Sequence, residues 1–250
     1  MLREERLNHI KKSLEAVGIV RVSELTEKFG VTEMTIRRDF QYLEDEGVLQ
    51  RIHGGAKLPE TLSPREYSHR EKQNINIEKK KVIAKKIAEM ISSEDTVFLG
   101  AGTTIELVFE YLETVPLKII TNSIYVFNKF NESTKYDLLL IGGSYRRRTG
   151  AFVGSITNET LQKLRVKKAF IGVNGVYNNQ VYTSNEEEGI TQSIVLDNAG
   201  QKFIVADSSK INKEDFFGFY NLDEVNRLIT DEGISDSQKS ELELHTKVIY

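Results

Sequence analysis

The 250-residue chain contains no cysteine. Disulfide scaffolds, thiolate metal sites and cysteine nucleophiles are therefore excluded, and the composition suits a reducing cytoplasm, where the chain is expected. No stretch approaches the length of a membrane span, and Met1-Leu2-Arg3-Glu4-Glu5 lacks the apolar run of a signal peptide, so no membrane partner is expected. Histidine is scarce: none lies between His69 and His245, which leaves the middle of the chain without an imidazole for acid–base work. An excess of positive charge is also missing. The net charge is −3; residues 1–58 carry ten basic and ten acidic side chains, residues 59–92 eight and five, and the acidic excess falls in the remainder. Any affinity for nucleic acid must come from local placement of arginines and lysines. Cofactor-binding fingerprints are absent too, so no cofactor and no metal is expected.

What is present begins with Val22 to Phe40, which reads as two short helices joined by a tight turn. Ser23 is expected to cap the first, with Leu25 and Phe29 four apart on one face. Gly30 stands where that helix must stop, and Thr32 is expected to cap the second. Ile36, Phe40 and Leu43 repeat at helical spacing and point inward. Glu33, Thr35, Arg37 and Arg38 then face out near the helix start, which suits entry into the major groove of double-stranded operator DNA. The plainer alternative is a surface hairpin with a solvated charged face. The coincidence of capping, turn and packing signals favours the DNA reading. Leu7, Ile10, Leu14 and Val17 predict a preceding helix over 3–17 that ends at Gly18. After Gly47, Val48-Leu49 and Arg51-Ile52 predict a small wing bent at Gly54-Gly55. From it Arg51, His53 and Lys57 reach phosphates. Residues 1–58 thus read as a winged helix-turn-helix domain.

Residues 59–74, with Pro59 and Pro64, read as an extended linker. Residues 75–92 read as an amphipathic helix whose lysines, Lys79-Lys80-Lys81 and Lys85-Lys86, form a basic outer face. A solvated face is the default there, and contact with DNA or a partner subunit the sharper option. From residue 95, apolar runs of strand length alternate with helical stretches: 96–99, 117–120, 138–141, 169–172, 203–206 and 227–230. Continuous runs of this kind fit strands buried on both faces of a mostly parallel sheet, so residues 75–250 read as one α/β domain. Ligands of such sheets bind beyond the carboxyl ends of the strands.

Those ends are polar. Gly100-Ala101-Gly102-Thr103-Thr104 runs directly into a helix, where glycines admit a close anion and threonine hydroxyls and free amides donate to it. Thr121-Asn122-Ser123, Gly142-Gly143-Ser144-Tyr145 followed by three arginines, Gly172-Val173-Asn174-Gly175, Tyr182 to Glu188, and Asp207-Ser208-Ser209-Lys210 complete the set. Any one of them also serves as a plain turn. Together they suggest a pocket for a phosphorylated sugar, with candidate residues Gly100, Gly102, Thr103, Thr104, Asn122, Gly142, Gly143, Asn174, Glu187, Glu188 and Lys210. An alternative is a sugar-phosphate isomerase-like enzyme with an appended helical module, in which Glu187, Glu188 and Lys210 transfer protons. A third reading, a protein-interaction adaptor, binds neither DNA nor ligand. No decisive catalytic arrangement is visible, and the attached DNA-binding module favours a sensor over an enzyme.

Met34-Thr35-Ile36-Arg37-Arg38-Asp39-Phe40, then Leu43, Gly47 and Arg51-Ile52-His53-Gly54-Gly55-Ala56, closely resemble the DeoR family of bacterial transcriptional regulators. The resemblance continues through Gly102-Thr103-Thr104, Thr121-Asn122, Ile141-Gly142-Gly143, Phe152-Val153-Gly154 and Asp207 to Lys210. Tyr182-Thr183-Ser184 to Thr191-Gln192, with Lys213 to Phe216, look most like the lactose phosphotransferase repressors of that family. The resemblance implies a sensor fold similar to ribose-phosphate isomerases and coenzyme A transferases, without catalysis. It implies that Gly100 to Thr104 hold a phosphate and that Asn174, Glu187, Glu188 and Lys210 surround the sugar. Many members carry aspartate in place of Asn174, and an amide neither gives nor takes a proton. It further implies repression of a sugar-utilisation operon, relieved by tagatose 6-phosphate or a close relative. Two copies at least, as a homodimer or homotetramer, are expected to act together, because one recognition helix reads too few base pairs.

Overall fold

The computed structural model describes residues 3–17, 19–52, 54–57, 66–112 and 116–250. The chain forms two compact units, Met1–Ser63 and Pro64–Tyr250. Among the described residues no helix is long and apolar enough to cross a membrane.

In the first unit, helices α1 (Arg3–Val17), α2 (Val22–Phe29) and α3 (Glu33–Asp45) pack with strands β1 (Ile19–Arg21), β2 (Gln50–Ile52) and β3 (Gly55–Lys57). The strands form an antiparallel sheet in the order β1-β3-β2. Ile10, Leu14, Leu25, Ile36, Phe40 and Leu43 build one buried cluster, as their helical spacing requires. Gly30 ends α2 with φ +64°, a left-handed backbone that glycine adopts at little cost. Thr32 caps α3 by accepting from the Thr35 amide at 3.3 Å. The cap expected at Ser23 is not formed: α2 starts one residue earlier, at Val22, because that side chain is drawn into the core. The wing strand is also shorter than expected, with Val48 and Leu49 lying before it.

One buried contact had no sequence signal. Asp39 follows the arginine pair of α3, yet it is buried and receives Arg6 of α1 at 2.5 Å (Nε to Oδ2) and 3.2 Å (Nη2 to Oδ1). Arg6 is itself buried, and its bond to Asp39 pushes its pKa up against the cost of burial. This two-pronged pair fixes α3 against α1.

The second unit is a three-layer α/β structure. Its central sheet has seven strands in the order β15-β14-β12-β9-β4-β5-β6, every neighbouring pair parallel. The strands are β4 (Thr96–Leu99), β5 (Leu117–Thr121), β6 (Tyr136–Leu140), β9 (Val166–Gly172), β12 (Ala199–Val205), β14 (Arg227–Ile229) and β15 (Lys247–Ile249). Successive side chains point to opposite faces. Phe98, Ala169, Ile171 and Ile204 join a core with helices α8 (Ser155–Gln162) and α9 (Glu186–Asp197). Val97, Leu99, Phe170, Phe203 and Val205 join a second core with α5 (Ile77–Glu89), α6 (Thr103–Glu106) and α7 (Ile124–Phe130). Burial on both faces holds for the central strands. It fails for β6, the sheet edge, whose Asp137 and Leu139 are exposed.

Two smaller sheets flank the main one. An antiparallel pair joins β7 (Ser144–Arg146) to β8 (Ala151–Val153), and an antiparallel trio orders β10 (Gly175–Tyr177), β11 (Gln180–Thr183) and β13 (Phe217–Asn221). The extended linker expected over 59–74 needs correction. Residues 58–65 lie outside the described set, but residues 69–72 form a helix, α4 (His69–Lys72). A capping box between Ser68 and Glu71 starts it, and His69 is buried. Composition alone could not show this, because the partners of His69, Glu66 and Lys72 lie 37, 80 and 102 residues downstream.

Removing Asp39 strands a buried guanidinium. Asp39→Ala is expected to destabilise the first unit by about 3–5 kcal/mol, read as lost protection of the α3 backbone amides in native-state hydrogen exchange. A change below about 1 kcal/mol would show the pair to be dispensable.

Candidate functional site

The carboxyl ends of β4, β9 and β12 converge on a cleft with about 560 Å³ of empty space. Gly102, Thr103, Thr104, Asn174, Glu188 and Lys210 all line it. Gly100 and Asn122 line a smaller adjoining pocket, again with Glu188. Gly142, Gly143 and Glu187 line neither. Gly143 has φ +155°, and a Cβ there would meet Thr157 Oγ1 at 1.9 Å, so this glycine permits packing against α8. Thr157 in turn donates to the Gly142 carbonyl at 2.9 Å. Glu187 is exposed on α9, one residue away from the inward-facing Glu188, as helical geometry dictates.

Three lining residues carried no sequence signal, His69, Lys72 and Thr149, while Thr183 and Gln192 come from segments noted above without a site role. Two come from α4. The Lys72 ammonium donates to Asn174 Oδ1 at 3.0 Å. Asn174 passes the bond on, its amide donating to Ser184 Oγ at 2.8 Å. His69 bonds Glu106 through Nε2 and stacks on Tyr125 with ring centroids 3.7 Å apart. Arg146 is the one member of the arginine run that turns inward. It meets both oxygens of Glu66 at 2.8 Å and Glu188 at 2.7 Å. Burial pushes the Glu66 pKa up, and the Arg146 bonds outweigh that and hold it below the usual range. Glu188 also accepts from Thr149.

The cations of the cleft are unusual. Lys210 donates to the Val173 carbonyl at 2.6 Å, Lys72 to an amide oxygen, and the buried Lys80 to the Lys72 carbonyl. Among the described residues none of these three ammoniums forms an ion pair with a carboxylate, whereas neighbouring Lys79 approaches Asp231 at 3.7 Å. Burial pushes the Lys210 pKa down to about 8; Lys72 and Lys80 push the same way, and Asp207 only partly opposes them. Burial likewise lowers Lys72 and Lys80. The basic helix face expected over 79–86 is thus partly buried. Lys80 belongs to the sensor interior because Asn76, left-handed at φ 55°, turns the start of α5 toward Asp207. A second opening, of about 940 Å³, shares Lys72, Thr103, Asn174 and Lys210 with the first.

In the first unit, Glu33, Arg37 and Arg38 are exposed on α3, Thr35 is half-buried, and Thr32 is occupied as the cap. Arg37 lies along the helix toward Glu33 at 3.4 Å. Arg51 is bound to Glu44 through its backbone amide and Nε, both at 2.8 Å. Ser23 is exposed on α2. His53 lies outside the described residues. Met34, 61% exposed, adds an apolar surface to the same face of α3 that the sequence reading had left polar.

Two family models match this chain: a DeoR-like helix-turn-helix domain over residues 6–62 and a DeoR C-terminal sensor domain over residues 75–232. The chain belongs to the DeoR family. It is a DNA-binding repressor of a sugar-utilisation operon. It is 43% identical to the lactose phosphotransferase system repressor of Streptococcus mutans serotype c over 251 residues, with all of both chains covered. Its identity to the repressor of that name from Lactococcus lactis subsp. lactis is 40% over 252 residues, covering 100% and 99% of the two chains. Among solved structures it is similar to ribose 5-phosphate isomerase A from Neisseria gonorrhoeae at 16% identity and a TM-score of 0.39, over 53% of this chain and 52% of that one.

Proposed function

We propose that this repressor senses a phosphorylated sugar in the cleft beyond β4, β9 and β12, and that occupancy releases it from operator DNA. The observation that carries the reading is the set of three part-buried ammoniums, Lys72, Lys80 and Lys210, bonded only to neutral oxygens beside the Gly102-Thr103-Thr104 turn. A buried cation without a counter-ion is costly, and a phosphate supplies that counter-ion. Thr103 lines both openings, so its hydroxyl and the amides that follow meet the same phosphate as Lys72 and Lys210. Glu188, Asn174 and Thr183 supply acceptors and donors for hydroxyl groups. The relatives' name, lactose phosphotransferase system repressor, supports a lactose operon. On that reading we take tagatose 6-phosphate or a close relative as the effector.

The sensor reading fits the cleft better than an isomerase. A proton-abstracting base needs a free carboxylate beside the substrate, and Glu188 is held by Arg146 and Thr149 while residue 174 is an amide. On the DNA side, Arg37 and Arg38 meet the groove and its phosphates. Thr32, Glu33 and Thr35 lie at the entering end of α3, and Ser23, Arg51 and His53 add backbone contacts. Met34 suits the methyl group of a thymine. Repressor copies act as a homodimer or homotetramer on paired half-sites, within the cytoplasm.

Two outcomes follow. On a duplex recovered by in vitro selection, Arg38→Ala weakens binding about tenfold and lowers the salt slope by about one, measured by gel shift across a salt series. Equal affinity would remove Arg38 from the interface. For the cleft, a phosphate monoester is already a dianion above pH of about 6, so only the protein titrates at higher pH. Lys210 loses its proton as pH rises through about 8. Calorimetry should therefore find tagatose 6-phosphate bound about tenfold more weakly at pH 9 than at pH 7, with the slope abolished in Lys210→Arg. Affinity independent of pH in the unaltered protein would contradict the role of Lys210.

A further inference from the structure

The side chains of α9 nearest the cleft are satisfied within the protein, with one exception. Glu188 accepts from Arg146 and Thr149. Thr191 donates to Asn158 at 2.7 Å, and Ser193 to the carbonyls of Gly189 and Phe219 at 3.0 and 2.9 Å. Gln192 stands one turn beyond Glu188, on the same face, and its Oε1 is buried with no hydrogen-bond partner. It borders both the main cleft and the smaller pocket under it, which also reaches Gly100 and Asn122. Asn122 makes no bond to it and donates instead to the Phe152 carbonyl at 2.8 Å. Buried polar atoms in folded proteins nearly always find a partner, so an orphan at the wall of a ligand cleft points to a group that arrives with the ligand.

The chemistry of that group follows from the amide. The two ends of a glutamine side chain are close to indistinguishable in shape, and either end can occupy the buried position. A hydroxyl satisfies both arrangements, because it donates and accepts. A phosphate oxygen or a carboxylate satisfies only one, and Glu188 next to it already disfavours a second anion. The cleft also holds Lys72 and Lys210, whose ammoniums bond neutral oxygens.

We propose that Gln192 is the residue that reads a hydroxyl group of the effector, and so selects a polyhydroxylated phosphoester over phosphate alone. The assignment rests on the effector reading above. It divides recognition of the ligand between two sets of residues: the phosphate goes to the Thr103 turn and the lysines, and a carbon-bound hydroxyl goes to Gln192. A protein built in this way discriminates strongly against an analogue that lacks the hydroxyl, because the analogue leaves the amide unpaired.

Calorimetry on the full chain tests the assignment with three probes: inorganic phosphate, hexose 6-phosphates of the galactose and tagatose series, and mono-deoxy versions of whichever binds best. In the unaltered protein the phosphosugar binds more tightly than inorganic phosphate, and one deoxy analogue loses about tenfold or more. Gln192→Met keeps the length of the side chain and removes both polar atoms. In that variant inorganic phosphate binds as before, which also reports an intact fold, while the phosphosugar loses about tenfold and the same deoxy analogue loses nothing further. If Gln192→Met leaves the phosphosugar advantage unchanged, Gln192 does not read the effector and an ordered water satisfies its amide. If the unaltered protein itself shows no advantage of any phosphosugar over inorganic phosphate, the effector reading fails and this assignment falls with it.

Discussion

The sensor unit depends on a charge imbalance that the protein leaves uncorrected. Lys72, Lys80 and Lys210 are drawn toward one another at the carboxyl ends of the central strands, and each ends on a neutral oxygen. Burial and mutual repulsion lower the pKa of Lys210, and its neighbours shift in the same direction. The nearest carboxylates oppose that shift only in part, and they hold other partners as well. Glu66 and Glu188 share Arg146, and Asp207 is bonded by Asn76 and Ser209. The proposed phosphate effector supplies the anion that these ammoniums lack as a hydrogen-bond partner.

The parallel sheet makes this arrangement possible. Strands buried on both faces place their polar loops at one end, so residues as far apart as Gly102, Asn174 and Lys210 share a wall. The segment that contributes Glu66, His69 and Lys72 is the first described part of the sensor unit, and the chain leads from it back to the helix-turn-helix. Glu66 is bonded to Arg146, which also holds the cleft residue Glu188, and Lys72 is bonded to Asn174 of the cleft wall.

Much of this was legible in residue order, and what was missed has a common cause. The apolar runs gave the strands because period and length report burial directly, and the Gly-Thr-Thr turn announced itself by its place between a strand and a helix. Lys80 read as solvated because a lysine run on an amphipathic helix normally is; its burial depends on Asn76 and Asp207, 131 residues apart in sequence. His69 and Lys72 were assigned to a linker because their partners, Glu106 and Asn174, lie 37 and 102 residues downstream. Gly142 and Gly143 looked like a ligand loop; neither lines the cleft or the adjoining pocket, and Gly143 makes room for α8. Glu187 and Glu188 were indistinguishable until the phase of α9 set one outward and one inward. Periodicity reports a residue's face; it does not report who stands opposite.

The central claim is that one anion in this cleft and one DNA duplex on α3 compete through the protein. Thermodynamic linkage makes that claim measurable without any structure of the bound states. Operator affinity should be measured with and without saturating tagatose 6-phosphate, and the affinity for that sugar phosphate with and without saturating operator duplex, in one buffer at one salt concentration. The account predicts that each ligand weakens the other by the same factor, about tenfold or more. Sugar-phosphate affinity that is unchanged by saturating operator would contradict it.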